Sequence, residues 1–298
     1  MRLIRNNLTE VNEIHSQGIM KTTTNNIALS VLIALLTSSA GTVASNRYFG
    51  YVYQPETSPA GELEFEQWVT VRSGRTSDTV NPRDAKENYT KMQVRSEIEY
   101  GVTDRYTVSG YLNFEQTRYR EVFSGSDISK FRFAGVSIEN RYMVLNPAEN
   151  PVGMTLYIEP TFAGDESKLE EKIIFGNRFG DWIWAVNFIH ETEWKKNFNA
   201  TDAKVAVTAG LARSLGKHWT LGVEAREVTG FPEYEKATYS ALFLGPVLSY
   251  RNEKLWGLIS VMPQIYGTNY GNDTDNNPHL VLTDLERVNI RVGFGFEF

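Results

Sequence analysis

From about residue 60 onward the chain alternates apolar and polar side chains in steps of two. At its end Val288, Ile290, Val292, Phe294, Phe296 and Phe298 share one parity, and Asn289, Arg291, Gly293, Gly295 and Glu297 share the other. No helix sustains that period, whereas a strand sends successive side chains to opposite faces. Residues 90–102 repeat the pattern, with Met92, Val94, Ile98, Tyr100 and Val102 set against Lys91, Gln93, Arg95, Glu97 and Glu99. Thr103-Asp104-Arg105 then separates this run from 106–116, where Tyr106, Val108, Leu112 and Phe114 oppose Thr107, Ser109, Tyr111, Asn113 and Glu115. Two alternating runs joined by so short a turn read as a β-hairpin.

Read throughout, the pattern predicts about twelve strands. They fall near 61–72, 90–102, 106–116, 132–144, 153–163, 169–178, 182–194, 203–214, 219–227, 238–250, 256–266 and 286–298. The connections alternate between a short class (103–105, 145–152, 179–181, 215–218, 251–255) and a mostly longer, polar class (73–89, 117–131, 164–168, 195–202, 228–237, 267–285). An even strand number with alternating short and long connections predicts an all-β fold, an up-and-down transmembrane antiparallel β-barrel. Its N- and C-termini would both be periplasmic, and one miscounted hairpin would make it ten or fourteen strands. Aromatic residues sharpen the choice against a soluble sandwich. Tyr100, Tyr106, Trp182, Trp184, Trp219 and Trp256 cluster beside the short turns, and Tyr89, Trp194 and Tyr266 toward the longer loops, as two interfacial belts would. Pro160, Pro246 and Pro263 fall inside strands, Asn140 takes the apolar parity, and 256–266 is apolar on nearly both faces. Bulges or one-residue register shifts are the expected reasons.

The N-terminus follows another logic. Met20-Lys21, a polar stretch, the apolar run Ile27–Leu36 and the small residues around Ala40 and Ala44 have the layout of a secretory signal. The expected organisation is an upstream extension at 1–19 with Met20 as the physiological start, a signal peptide at 20–44 and an N-terminal segment at 45–60. The barrel would occupy 61–298. With Tyr48, Phe49, Tyr51 and Tyr53, the segment 45–60 is too aromatic for an idle linker and is expected along the periplasmic mouth or partly inside the lumen.

Composition removes several functions. No run of 18 apolar residues supports a membrane-spanning helix. The absence of Cys excludes disulfides, thiolate metal sites and Cys nucleophiles. A net charge of −6 argues against a nucleic-acid partner. The inward parity collects both signs, and the candidate lumen-lining residues are Glu64, Glu66, Arg95, Glu97, Glu99, Glu139, Arg141, Glu159, Glu224, Arg226 and Arg291. They would either satisfy one another as a structural network or set the field along a polar pathway. Glu66, Arg95 and Glu97 are expected to cluster. His190, on the outward parity near a rim, offers a remote lipid-hydrolase alternative, without a Ser and Asn arrangement beside it. Asp273-Thr274-Asp275-Asn276-Asn277 and Asp165-Glu166 could attract a divalent cation without forming a complete binding loop. No catalytic residue, metal site or cofactor is expected.

Tyr51-Val52-Tyr53-Gln54-Pro55-Glu56-Thr57 and Gly61-Glu62-Leu63-Glu64-Phe65-Glu66-Gln67-Trp68-Val69-Thr70 resemble an uncharacterised family of Gram-negative outer-membrane proteins, related to the barrels named after a phenol meta-degradation pathway transporter. Glu99-Tyr100-Gly101-Val102-Thr103-Asp104-Arg105, Val136-Ser137-Ile138-Glu139-Asn140-Arg141-Tyr142, Tyr157-Ile158-Glu159-Pro160 and Phe179-Gly180-Asp181-Trp182 carry the same resemblance over most of the mature chain. It implies an outer-membrane location and passage of small, aromatic or hydrophobic molecules. The function expected is a passive channel for small solutes through a charge-lined lumen. The alternative is a closed structural barrel whose external loops bind a partner or cation. Expected partners are outer-membrane lipid and lipopolysaccharide, and the barrel-assembly machinery through the strand ending in Phe298.

Overall fold

The computed structural model describes residues 47–76, 86–164, 166–195, 198, 200–270 and 279–298. Thr42–Glu297 forms one compact unit, which holds all twelve strands found among the described residues. In chain order these are β1 (Leu63–Arg75), β2 (Lys86–Thr103), β3 (Tyr106–Glu121), β4 (Asp127–Leu145), β5 (Gly153–Ala163), β6 (Glu166–Phe179), β7 (Trp182–Lys195), β8 (Ala200–Leu215), β9 (Trp219–Pro232), β10 (Tyr239–Arg251), β11 (Leu255–Asn269) and β12 (Val288–Glu297). Each pairs antiparallel with its chain neighbours. β1 closes on β12 from Glu64 opposite Glu297 to Ser73 opposite Val288, which completes a twelve-stranded barrel without edges.

Most strands run further than the apolar pattern suggests, chiefly at the long-loop end, whereas β5 keeps its expected bounds and β12 begins two residues later. β3 and β4 continue until only 122–126 separate them, and β5 and β6 until only 164–165 do. Beyond the apolar band both faces carry polar residues. The period of two then vanishes from the sequence while the hydrogen-bond ladder continues.

Alternation fixes two faces. Ile98, Leu112, Ile138, Leu156, Ile173, Phe188, Val205, Leu211, Val223, Leu244, Ile259 and Val292 point outward at 41–50% exposure, and Phe65 and Val69 of β1 continue the band. Tyr100, Tyr142, Trp182 and Trp219 stand exposed at its short-turn side, and Tyr266 at its long-loop side. Two expected belt residues turn inward instead. Trp256 is wholly buried against Trp68, ring centroids 5.3 Å apart, and Tyr89 lines an inner cavity and stacks on Tyr119. The glycines of β12 make the indoles possible. A Cβ at Gly295 would lie 2.5 Å from the Trp256 ring, and one at Gly293 would run into that of Trp68.

The irregular positions have separate causes. Pro246 and Pro263 fall where the β10–β11 ladder is interrupted, between Phe243 opposite Gln264 and Val247 opposite Ser260. Pro160 falls in a similar gap between β4 and β5. Asn140 does face outward, and the Tyr106 hydroxyl donates to its Oδ1 at 2.7 Å. β11 is apolar on both faces because Trp256, Leu258 and Met262 bury themselves inside the barrel. Met262 joins Ala206, Val228, Tyr239, Ala241, Phe243, Val281 and Leu285 in an internal apolar cluster.

Candidate functional site

Residues 47–58 pack inside the short-turn half of the barrel and 59–60 leave it beside the Asp104 turn, and the inner wall is built to receive the segment. The segment has no regular secondary structure, so its backbone N–H groups need acceptors from elsewhere. Glu224 of β9 supplies them, accepting from Gly50 N at 2.8 Å, Tyr51 N at 2.7 Å and Val52 N at 3.3 Å. Asn187 of β7 accepts from Tyr53 N at 2.7 Å and donates to Tyr53 O at 2.9 Å. Apolar side chains complete the seat: Tyr48, Phe49 and Val52 pack on Ile183, Ala185, Ala212 and Val247.

Arg47 is the charged anchor. Its Nε donates to Glu66 at 3.0 Å and its Nη2 to Glu99 at 3.3 Å, with its side chain only 7% exposed. Glu99 is also bonded by the Ser58 hydroxyl and by Arg141, whose Nε lies 2.8 Å from Glu139. The Glu139 carboxylate accepts from the Tyr53 and Tyr111 hydroxyls. Glu64 accepts from the Trp256 indole. One carboxylate oxygen each from Glu97, Glu99 and Glu139 lies within 4.8 Å of the others, and of the three carboxylates Glu97's alone has no hydrogen bond among the described residues.

These partners correct one expectation. Glu66 and Glu97 are direct cross-strand neighbours, but Arg95 joins neither: it crosses the lumen to Glu159 of β5 at 2.6 Å. The pairing could not be read from adjacent strands because β3 and β4 stand between the two residues. Tyr157 donates its hydroxyl to the same Glu159.

Above the segment, toward the long loops, the bore opens into a cavity of about 430 Å³. Its β2–β8 wall is a ladder of ion pairs: Lys91–Glu115 at 2.5 Å, Lys172–Glu170 at 2.7 Å, Lys204–Glu191 at 2.9 Å and Lys168–Glu191 at 3.2 Å. The opposite wall carries Arg72, Arg226 and Arg291 around the ring of Tyr51. Part of the β11–β12 connection folds in over that wall. Gln264 donates to the carbonyls of Val281 and Glu286 at 3.1 Å, and Arg75 donates to Thr283 O at 2.6 Å. Burial alone would raise the Glu286 carboxyl, yet Arg72 and Arg226 hold it below the ordinary carboxylate range.

Of the sequence candidates, Glu64, Glu66, Glu97, Glu99, Glu139, Arg141 and Glu224 surround the seated segment. Arg95 and Glu159 stand at its upper edge, and Arg226 and Arg291 face the cavity. Arg72 follows the inward parity read from the sequence and Tyr51 the expected inward packing of its segment, whereas Asn187 and Glu286 were not among the candidates. The sequence signal for the seat was the excess of Glu on the inward parity of β1 and β2, facing a segment whose early cation is Arg47. His190 lies at the outer rim between Glu171 at 3.1 Å and the Tyr234 hydroxyl at 3.2 Å. Asp165, Asp273–Asn277, the predicted signal and the upstream extension lie outside the described residues, and Glu166 pairs with Arg132 at 3.3 Å.

Residues 41–173 and 183–298 match a family of unknown function, DUF6662. No curated protein matches the sequence. Among solved structures, an outer-membrane channel from Pseudomonas putida F1 is similar in fold, with a TM-score of 0.56 at 11% identity, over 86% of this chain and 100% of that one. The NanC porin gives 0.45 at 12% identity over 77% of this chain and 100% of its own, and the KdgM porin 0.46 at 11% over 78% and 99%.

Proposed function

The chain belongs to the DUF6662 family, and from that footing we propose that it is a bacterial outer-membrane barrel through which small solutes pass down their gradients. The carrying observation is the combination of an apolar outer band around every strand with a charged, hollow interior. A soluble protein rarely exposes a contiguous apolar patch of more than a few hundred Å², and a full girdle suits lipid contact. In this reading the short turns and both termini are periplasmic and the long loops external. Lipid and lipopolysaccharide surround the girdle, and the assembly machinery engages the C-terminal strand. Kinship to the phenol meta-degradation transporter barrels is part of the same proposal. No step requires a bound cofactor or a covalent intermediate.

Solutes enter the long-loop cavity and then meet residues 47–60, which form the constriction. The candidate charges act in two groups: the lower ones hold the segment, and the upper ones set the field a solute meets.

The seated segment also favours a second reading, a closed barrel whose interior is structural. Planar-bilayer recordings of the protein and of Arg47→Ala separate the two. Small, reproducible conductance steps that grow in the variant support passage with a segment-defined constriction. Silence from both proteins, each folded, sinks it in favour of the closed barrel.

A further inference from the structure

The cavity walls differ in how their cations are matched. On the β2–β8 wall each basic side chain named above has a carboxylate within 3.3 Å. On the β1, β9 and β12 wall, which Asp284 also lines, among the described residues Glu286 is the carboxylate that pairs with the arginines, 3.7 Å from Arg72 and 3.9 Å from Arg226. Arg291 makes no ion pair among the described residues; its guanidinium lies 5.1 Å from the Tyr51 ring centre and 4.4 Å from that of Trp68. Glu224 cannot compensate, because both its oxygens are held by the backbone of residues 50–52.

Among the described residues of this wall two guanidinium donors are left over. Arg226 Nη1 and Arg291 Nε are buried without a hydrogen-bond acceptor, and both side chains line the cavity. An unsatisfied buried donor is costly, and an arginine fork matches a planar oxyanion with two parallel hydrogen bonds. The chain itself shows which oxyanion this wall accepts, since Arg72 and Arg226 flank the carboxylate of Glu286.

We propose that Arg72, Arg226 and Arg291, grouped around Tyr51, form an anion subsite, and that the solutes admitted to the cavity are small organic carboxylates. The proposal rests on the passage reading above and gives it a substrate class. A carboxylate entering from the long-loop side takes the free donors of Arg226 and Arg291 and lies beside the Tyr51 ring. Asn289 holds that ring in place by accepting from the Tyr51 hydroxyl at 3.1 Å, and it accepts from Arg72 Nε at 3.2 Å.

Two readouts on the same protein test it: calorimetric titration in detergent and block of bilayer current, each with succinate, inorganic phosphate and neutral 1,4-butanediol. Succinate is expected to bind saturably and butanediol not at all. Arg291→Gln and Arg226→Gln should each weaken succinate at least tenfold, and Arg226→Lys, which keeps the charge and loses the fork, by less. Heat-modifiable electrophoretic mobility confirms that each variant is folded. Succinate binding no better than butanediol, or unchanged in both Gln variants, overturns the subsite, and phosphate binding without succinate overturns the carboxylate assignment. Arginine-dependent succinate binding to a barrel that conducts nothing leaves the subsite standing and removes passage. Conduction without such binding does the reverse.

Discussion

The two halves of the bore are built from the same inward parity of the same strands, yet they treat charge in opposite ways. In the short-turn half Glu66, Glu97, Glu99, Glu139 and Glu224 are at most 1% exposed, and a segment from elsewhere in the chain covers them. In the long-loop half Lys168, Lys204 and Glu191 keep 18–35% side-chain exposure and satisfy one another across neighbouring strands. Water stays near the second set and is excluded from the first. The lesson is that a lumen-facing charge does not define a pathway; its covering does.

Breaking the lower set should therefore cost far more than breaking the upper. Arg47→Ala removes the cation from buried Glu66, and one of two from Glu99, and should destabilise the seated barrel by about 3–5 kcal/mol, read as a drop in thermal midpoint. Lys204→Ala, at a half-exposed pair, should cost less than about 1 kcal/mol. Equal losses would erase the distinction between the halves. Glu224→Ala strips the acceptor from three backbone N–H groups and should cost about 2–4 kcal/mol, with faster proteolysis within 47–60. Protection of that segment unchanged from the parent would show that Glu224 does not hold it.

A charge on the outer face should ignore the division altogether. Ile173→Arg, between Leu156 and Phe188 on the apolar band, should cost about 2–4 kcal/mol in lipid while leaving any conductance unchanged. Normal stability in bilayers would refute the lipid-facing assignment. The smallest effect concerns acid. Because the folded Glu286 carboxyl is depressed, its contribution is complete above the ordinary range near 4.3 and fades as pH falls through the lower folded value. Protection of the Val281 amide against hydrogen exchange should hold at pH 5 and fall only once the pH drops below the ordinary carboxylate range. Release of that amide between pH 7 and 5 would contradict the ion pairing with Arg72 and Arg226.

Much of the fold was legible because β-barrels write their two faces into alternate residues. The parity of 90–116 and 288–297 carries directly into the outward and inward sets. Strand ends were not legible where both faces turn polar, as at Arg118–Glu121 and Asp127–Lys130. The direction of Trp256 was obscured because its inner face is as apolar as its outer one. Residues 47–60 carry no period at all, so only their aromatic content hinted that they were packed. Partners across the bore, such as Arg95 with Glu159 or Gly50 with Glu224, are beyond any local pattern.

The seat of that segment also sets an order of events in time. Its contacts with Asn187, Glu224 and Asn289 close loops of 134, 174 and 238 residues. Contacts so remote in sequence form slowly, and these need β7, β9 and β12 already in register. The nascent barrel thus passes through a stage in which its walls have closed and its bore is still vacant. In refolding experiments, protection of the strands should precede protection of residues 50–53, and the reverse order would mean that the wall assembles around the segment.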